Sequence, residues 1–202
     1  MNQIIKNTII LFVITLVAGI CLGTVHDITL DPIAQAQEAA ATKTYQEVYP
    51  DAASFDEPQE LADAVTAAAD SISEWGFGKV TINDAKKALD ASGNQIGYLI
   101  TSTSAESYGG NVQIAVGITN EGELTGIGFL SISDTPGLGM RAKEPDFKDQ
   151  FIGKKAENLE VTKTGASADN QIEAISGATI TSKAVTNATD AAIYFVANCL
   201  AQ

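Results

Sequence analysis

The chain predicts an α+β fold: an antiparallel sheet packed by a few helices, preceded by one N-terminal transmembrane helix. Three observations carry this. Residues 8–25, TIILFVITLVAGICLGTV, form an uncharged apolar run long enough to cross a bilayer as a helix. Several neighbouring strand patterns with short turns between them follow after residue 80, which indicates antiparallel pairing. A final amphipathic run, Lys183 to Leu200, places Val185, Ala188, Ala192, Phe195, Val196 and Cys199 on one face of a helix.

At the N-terminus, Lys6 precedes the apolar run and the acidic Asp27 and Asp31 follow it. The positive-inside rule then puts the N-terminus in the cytoplasm and the main domain outside, at the cell membrane. The length of the run favours a retained anchor. A cleaved signal peptide needs a shorter apolar core, although Ala34-Gln35-Ala36 offers an A-x-A match. Ile20 is bulky for lipoprotein processing at Cys21. The expected organisation is an anchor over 1–28, a linker or stalk over 29–55 and an extracytoplasmic domain over 56–202.

Within the domain, a helix pattern begins near Asp56, with Pro58 in its first turn and Leu61, Val65, Ala68, Ala69 and Ile72 at helical spacing. It is expected to stop around Trp75-Gly76-Phe77-Gly78. Val80 to Leu89, Gln95 to Ser102, Asn111 to Thr119 and Leu124 to Ile132 read as strands. Ser92-Gly93-Asn94 and Asn120-Glu121-Gly122-Glu123 read as turns, and Tyr108-Gly109-Gly110 as a break. Pro145 to Phe151 predicts a short helix ended by Gly153, and Leu159 to Thr162 a short strand. A polar loop over 163–170 follows, and Ile172 to Ile175 leads into the hydroxyl-rich stretch Ser176-Gly177-Ala178-Thr179-Ile180-Thr181-Ser182, just before the last helix.

Composition excludes several functions. The chain has 202 residues, 45% of them apolar, enough for one packed domain with an appendage. A net charge of −13 argues against nucleic acid. The single histidine, His26, lies beside the apolar leader, which removes a Ser-His-Asp triad and His-rich metal sites. Cys199 is the one cysteine outside the leader, so this chain alone cannot hold a four-cysteine iron–sulfur cluster, and a Cys21–Cys199 disulfide is implausible. Cys199 reads as a small buried hydrophobe. There is no GxGxxG or P-loop lysine.

Three glycine-containing segments stand out: YGG at 108–110, TPGLG at 135–139 and SGAT at 176–179. Each alone has an ordinary reading. YGG can be a strand break, TPGLG a tight turn, and SGAT a helix start capped by Thr181 or Ser182. The start of a helix also suits a phosphate, because its first N–H groups lack partners and the helix dipole is positive there.

Asp134-Thr135-Pro136-Gly137-Leu138-Gly139 followed by SGATITSKAV resembles the FMN-binding domain of RnfG, the G subunit of the Rnf electron-transport complex. It also resembles the related C subunit of the Na⁺-translocating NADH:quinone reductase. The resemblance spans about 98–200, and the single N-terminal span fits it. It implies that Thr179 carries FMN through a phosphoester, making the chain formally a phosphoprotein. A separate flavin transferase would install the group from FAD. The family motif has an aspartate three residues before the serine, where this chain has Glu173. The resemblance also makes Thr135, Pro136, Gly137, Leu138 and Gly139 candidate flavin contacts, beside Ser176, Gly177, Ala178, Thr181 and Ser182. Tyr108, Leu138 and Met140 are candidate walls for the ring. It implies an electron carrier in a membrane complex moving electrons between ferredoxin and NAD⁺, coupled to Na⁺ or H⁺ transport, with other membrane and redox subunits as partners. Alternatives are a stand-alone extracytoplasmic FMN-dependent reductase, a part of a Na⁺-translocating quinone reductase like its C subunit, and an anchored binding module without flavin.

Overall fold

The structure is a computed structural model and describes residues 2–155 and 158–200. The chain forms two compact units, residues 1–42 and 43–202. The first lies within a single helix, α1 (Asn2–Val48). Its apolar side chains, among them Leu11, Phe12, Leu16 and Ile20, are exposed all round. It is one helix long and apolar enough to cross a membrane. The stretch over 31–48, expected as stalk, is helical as far as Val48, with Pro32 inside the helix.

The second unit is the α+β domain. A short strand, β1 (Ser54–Asp56), precedes α2 (Gln59–Ala68), which Pro58 introduces at its N-cap. The helix expected to run to Trp75 is broken in two: α2 ends at Ala68 and a 3₁₀ turn covers Ile72–Trp75. Gly76 then stops it in the left-handed region, with φ 84°. Four long strands follow: β2 (Val80–Leu89), β3 (Gln95–Ser107), β4 (Gly110–Thr119) and β5 (Leu124–Ile132). With β1 they make one antiparallel meander in the order β1-β2-β3-β4-β5. Asp90 fixes the β2–β3 turn: its carboxylate accepts the N–H groups of Ser92 (2.8 Å) and Asn94 (2.9 Å).

Beyond β5 come a 3₁₀ turn (Gly139–Lys143), α3 (Pro145–Lys148), and a second 3₁₀ turn (Asp149–Phe151). Two short strands, β6 (Glu160–Thr162) and β7 (Gln171–Glu173), pair in parallel. The last helix, α4 (Thr179–Phe195), closes in a π-helical turn, Val196–Leu200. It begins four residues earlier than the amphipathic pattern indicated. The reason is that Thr181 and Ser182 are buried polar residues, so they read as loop while packing as helix.

Both faces of the sheet are covered, which explains why β4 is buried continuously from Ile114 to Ile118 instead of alternating. On one face Val112, Ile114, Val116 and Ile118 join Ile100 and the α4 residues Val185, Ala188, Ala192 and Phe195 in the main core. Ser102 on this face donates its hydroxyl to Ala188 O at 2.9 Å. On the other face lie Leu99 and Ala115, packed with Val48. Glycines make room there. A Cβ on Gly128 would come within 2.6 Å of Val48 Cγ2, and one on Gly97 within 2.5 Å of the Tyr49 hydroxyl. Thr125 donates to Val48 O (2.7 Å) and Tyr49 to Ile96 O (2.8 Å), so the segment entering the domain is stitched to the sheet.

Candidate functional site

The three glycine-containing segments meet at one place, and the residue that joins them is Asp134, at the exit of β5. Its carboxylate is buried and accepts three hydrogen bonds from the described residues. Thr181 Oγ1 donates to Oδ2 at 2.7 Å, Ser107 Oγ donates to the same oxygen at 2.8 Å, and the Thr135 N–H donates to Oδ1 at 2.7 Å. Burial pushes the carboxyl pKa up, but the donors, Thr181 and the Thr135 N–H foremost, outweigh it and hold Asp134 below the usual carboxylate range.

Glycine is required around this carboxylate. A Cβ on Gly139 would overlap the Asp134 carboxyl group, and one on Gly109 would overlap the backbone of Ser133 and Asp134. Thr135 O accepts the N–H groups of Leu138 (3.1 Å) and Met140 (3.2 Å), and Gly137 turns the loop at φ 75°. The loop over 135–138 thereby projects outward: Thr135, Pro136, Gly137 and Leu138 are exposed, while Gly139 is buried.

The SGATITS stretch divides its hydroxyls between two jobs. The Ala178 N–H closes a turn on Ile175 O (2.9 Å), with Gly177 at φ 79°. Ser182 braces this turn from below: its hydroxyl accepts the Ile175 N–H (3.0 Å) and donates to Ala178 O (3.0 Å). Thr181 is tied to Asp134, and both Thr181 and Ser182 are fully buried. Neither caps the helix. The N-cap is Ala178, whose side chain cannot cap, and the first N–H groups of α4 have no side-chain partner among the described residues. Ser176 is exposed and Thr179 half-buried at the first helical position, and neither hydroxyl makes a hydrogen bond among the described residues.

Apolar side chains on these three segments are exposed: Leu138 by 43%, Ile180 by 54% and Tyr108 by 73%. The Leu138 side chain reaches the turn before Thr179, where a Cβ on Gly177 would lie 3.1 Å from Leu138 Cδ2. Met140, expected as a wall, instead packs partly buried against the main core. Lys183, one turn beyond Thr179, is exposed. A free hydroxyl, an uncapped helix start and exposed apolar side chains suit a phosphate with an aromatic ring attached. The residues therefore fit FMN. In the sequence Asp134 is only the first residue of DTPGLG; its part in the site depends on Ser107 and Thr181, 27 and 47 residues away. Among the described residues no group of His, Cys, Asp and Glu could hold a metal ion.

The chain is similar to known proteins along most of its length. The model of the FMN-binding domain matches residues 107–194, and that of the RnfG N-terminal region matches residues 1–48. The chain is 35% identical over 198 residues to the G subunit of the Na⁺-translocating ferredoxin:NAD⁺ oxidoreductase complex of Acetobacterium woodii, covering 96% of this chain and 92% of that one. It is 31% identical over 196 residues to the G subunit of the ion-translocating oxidoreductase complex of Methanosarcina acetivorans, covering 96% and 95%. Among solved structures, the C subunit of the Na⁺-translocating NADH-quinone reductase of Parabacteroides distasonis superimposes with a TM-score of 0.44 at 19% identity, covering 71% of this chain and 95% of that one. Identity above 30% over nearly the whole length of both subunit chains, together with the two matching models, shows that the chain belongs to the RnfG family, the G subunits of ion-translocating oxidoreductase complexes.

Proposed function

We propose that the chain is a membrane-anchored electron carrier whose FMN is held covalently on Thr179 and which hands electrons between subunits of a ferredoxin:NAD⁺ oxidoreductase complex. The observation that carries this reading is the division of labour among the hydroxyls at the start of α4. Thr181 and Ser182 are committed inward, whereas Thr179 stands half-buried and unbonded beside exposed Leu138 and Ile180. Relatives named as G subunits of ion-translocating complexes support the assembly.

When bound, FMN supplies the redox chemistry. The chain's own residues attach and orient it. In the attachment step, Thr179 Oγ displaces AMP from the flavin-side phosphorus of FAD. The P–O bond to AMP breaks, the threonine phosphoester forms, and the hydroxyl proton leaves with a base of the transferase, with no change of oxidation state. Gly177 and Ala178 carry little bulk and leave the approach to Thr179 open. The uncapped N–H groups at the start of α4 stabilise the phosphate charge. Leu138, Ile180 and Tyr108 offer an apolar bed, and Thr135 and Ser176 offer hydroxyls at its rim. The charges around the span, Lys6 before it and Asp27 and Asp31 after it, support a domain outside the cytoplasm, where a covalent link prevents loss of the cofactor.

Thr179→Val, co-expressed with a flavin transferase, tests the tether. The wild-type chain is expected to fluoresce as a flavin band on a denaturing gel and to gain the mass of an FMN adduct. The variant is expected to show neither, at unchanged thermal midpoint. A fluorescent band in the variant would sink the assignment.

A further inference from the structure

The buried carboxylate of Asp134 is not among the groups that hold FMN, yet it is the most heavily hydrogen-bonded side chain at the site. Its three donors come from three places: Ser107 from the end of β3, the Thr135 N–H from the loop after β5, and Thr181 Oγ1 from the first turn of α4. Gly139 packs against the same group so closely that no side chain fits between them. One carboxylate thus joins the three segments that carry Tyr108, Leu138 and Thr179.

We propose that Asp134 is the positioning residue of the flavin tether: by accepting hydrogen bonds from Thr181, Ser107 and the Thr135 N–H, it sets the first turn of α4 against the Leu138 loop and presents the Thr179 hydroxyl for modification. This rests on the reading of Thr179 as the attachment point. Two consequences follow from the geometry. Thr181, two residues from Thr179, has its proton committed to Asp134, so Thr179 is left as the half-buried hydroxyl of that turn open to a transferase. And Leu138, which lies against Gly177, keeps a constant distance from the tether because both ends of that contact are anchored to the same carboxylate. Asp134 touches neither the reacting hydroxyl nor the ring; it acts through Thr181 and Thr135.

The test is the initial rate of flavin incorporation into the full-length chain, purified without flavin in detergent and supplied with FAD and a flavin transferase, followed by intact mass. Asp134→Ala and Thr181→Val are each expected to slow incorporation about tenfold, the scale of misplacing a reacting group by a fraction of an ångström. Asp134→Asn keeps an acceptor for the Thr135 N–H and can donate to both hydroxyls, which accept as well as donate. It is expected to restore the rate to within about twofold, since one exchanged hydrogen bond changes little. The double variant Asp134→Ala with Thr181→Val should be no slower than either single one, because both remove the same bond. A second readout is amide hydrogen exchange over 177–182, which should speed up in Asp134→Ala and Thr181→Val but not in Asp134→Asn.

Wild-type incorporation in Thr181→Val or Asp134→Ala would overturn the proposal, as would a loss in Asp134→Asn equal to that in Asp134→Ala. If Asp134→Ala does not fold, Thr181→Val and Asp134→Asn still decide it. Thr179→Val in parallel separates the two levels: flavin retained there removes the tether reading itself, whereas flavin lost there with normal rates in the Asp134 and Thr181 variants removes this inference alone.

Discussion

The two buried aspartates that serve α4 sit in opposite circumstances. Asp134, against its first turn, gathers three donors and is held below the usual carboxylate range in spite of burial. Asp190, within the helix, is 6% exposed and accepts, among the described residues, one hydrogen bond, from the Leu159 N–H at 3.0 Å. Burial raises its pKa to about 7, with that one bond only partly offsetting the effect. Burial alone therefore does not decide what a carboxylate contributes; the number of donors aimed at it does. One aspartate gathers the site's segments, and the other is a carboxyl that the core keeps protonated up to about pH 7.

Substitutions test this contrast directly. The largest loss of stability is expected at Asp134. Asp134→Leu strands two hydroxyls and the Thr135 N–H in a buried setting, and should destabilise the domain by about 3–4 kcal/mol; denaturant unfolding followed by far-UV circular dichroism reads it. A loss under about 1 kcal/mol would mean that water replaces the carboxylate and that the knot is weak.

The opposite sign is expected at Asp190. The folded carboxyl holds its proton up to about pH 7, whereas the unfolded one releases it near 3.8, so folding is penalised progressively as pH rises between these values. Asp190→Asn keeps the acceptor for Leu159 and cannot ionise. It should be stabilised over the wild type by about 4 kcal/mol at pH 8 and by only about 0.5 kcal/mol at pH 4. A pH-independent difference would show that Asp190 is solvated in the native state. Asp134 works in the other window: its contribution is full above the unfolded carboxyl pKa and is lost as pH falls through the lowered folded one.

Gly139→Ala comes next, at about 2 kcal/mol, because the added methyl must displace the Asp134 carboxyl or the loop. Combined with Asp134→Gly, which empties that space, the Gly139→Ala penalty should largely vanish; an additive result would locate the strain elsewhere. The smallest effect is expected at Lys183, exposed on the same helix. Lys183→Gln should change stability by less than about 0.5 kcal/mol, a baseline for the buried positions.

Much of the sheet was legible. Val80–Leu89 and Leu124–Ile132 are strands at the bounds their patterns indicated, and Gly93 and Gly122 turn the chain with positive φ where turns were expected. Three features were not. The pairing of β6 with β7 joins segments whose nearest sequence signals are weak and local, and its parallel sense follows from the loop between them. The short β1 was hidden in a stretch read as linker, because three residues carry no period. The start of α4 was misplaced because a buried threonine and serine look polar on paper, and only a partner such as Asp134 offsets the cost of burying them.

From its residues alone the chain determined the apolar span, the strand-and-turn succession, the apolar face of the last helix and the two motifs that mark an FMN-binding domain. Each depends on neighbours a few positions apart, so a local pattern suffices. Which hydroxyls of SGATITS are committed inward, why the loop over 135–138 faces outward, and that Asp134 holds both together were decided by tertiary structure. Those properties come from hydrogen bonds such as Thr181 to Asp134, between residues 47 apart, and a side chain's partner over that distance is set by how the sheet and the helix pack.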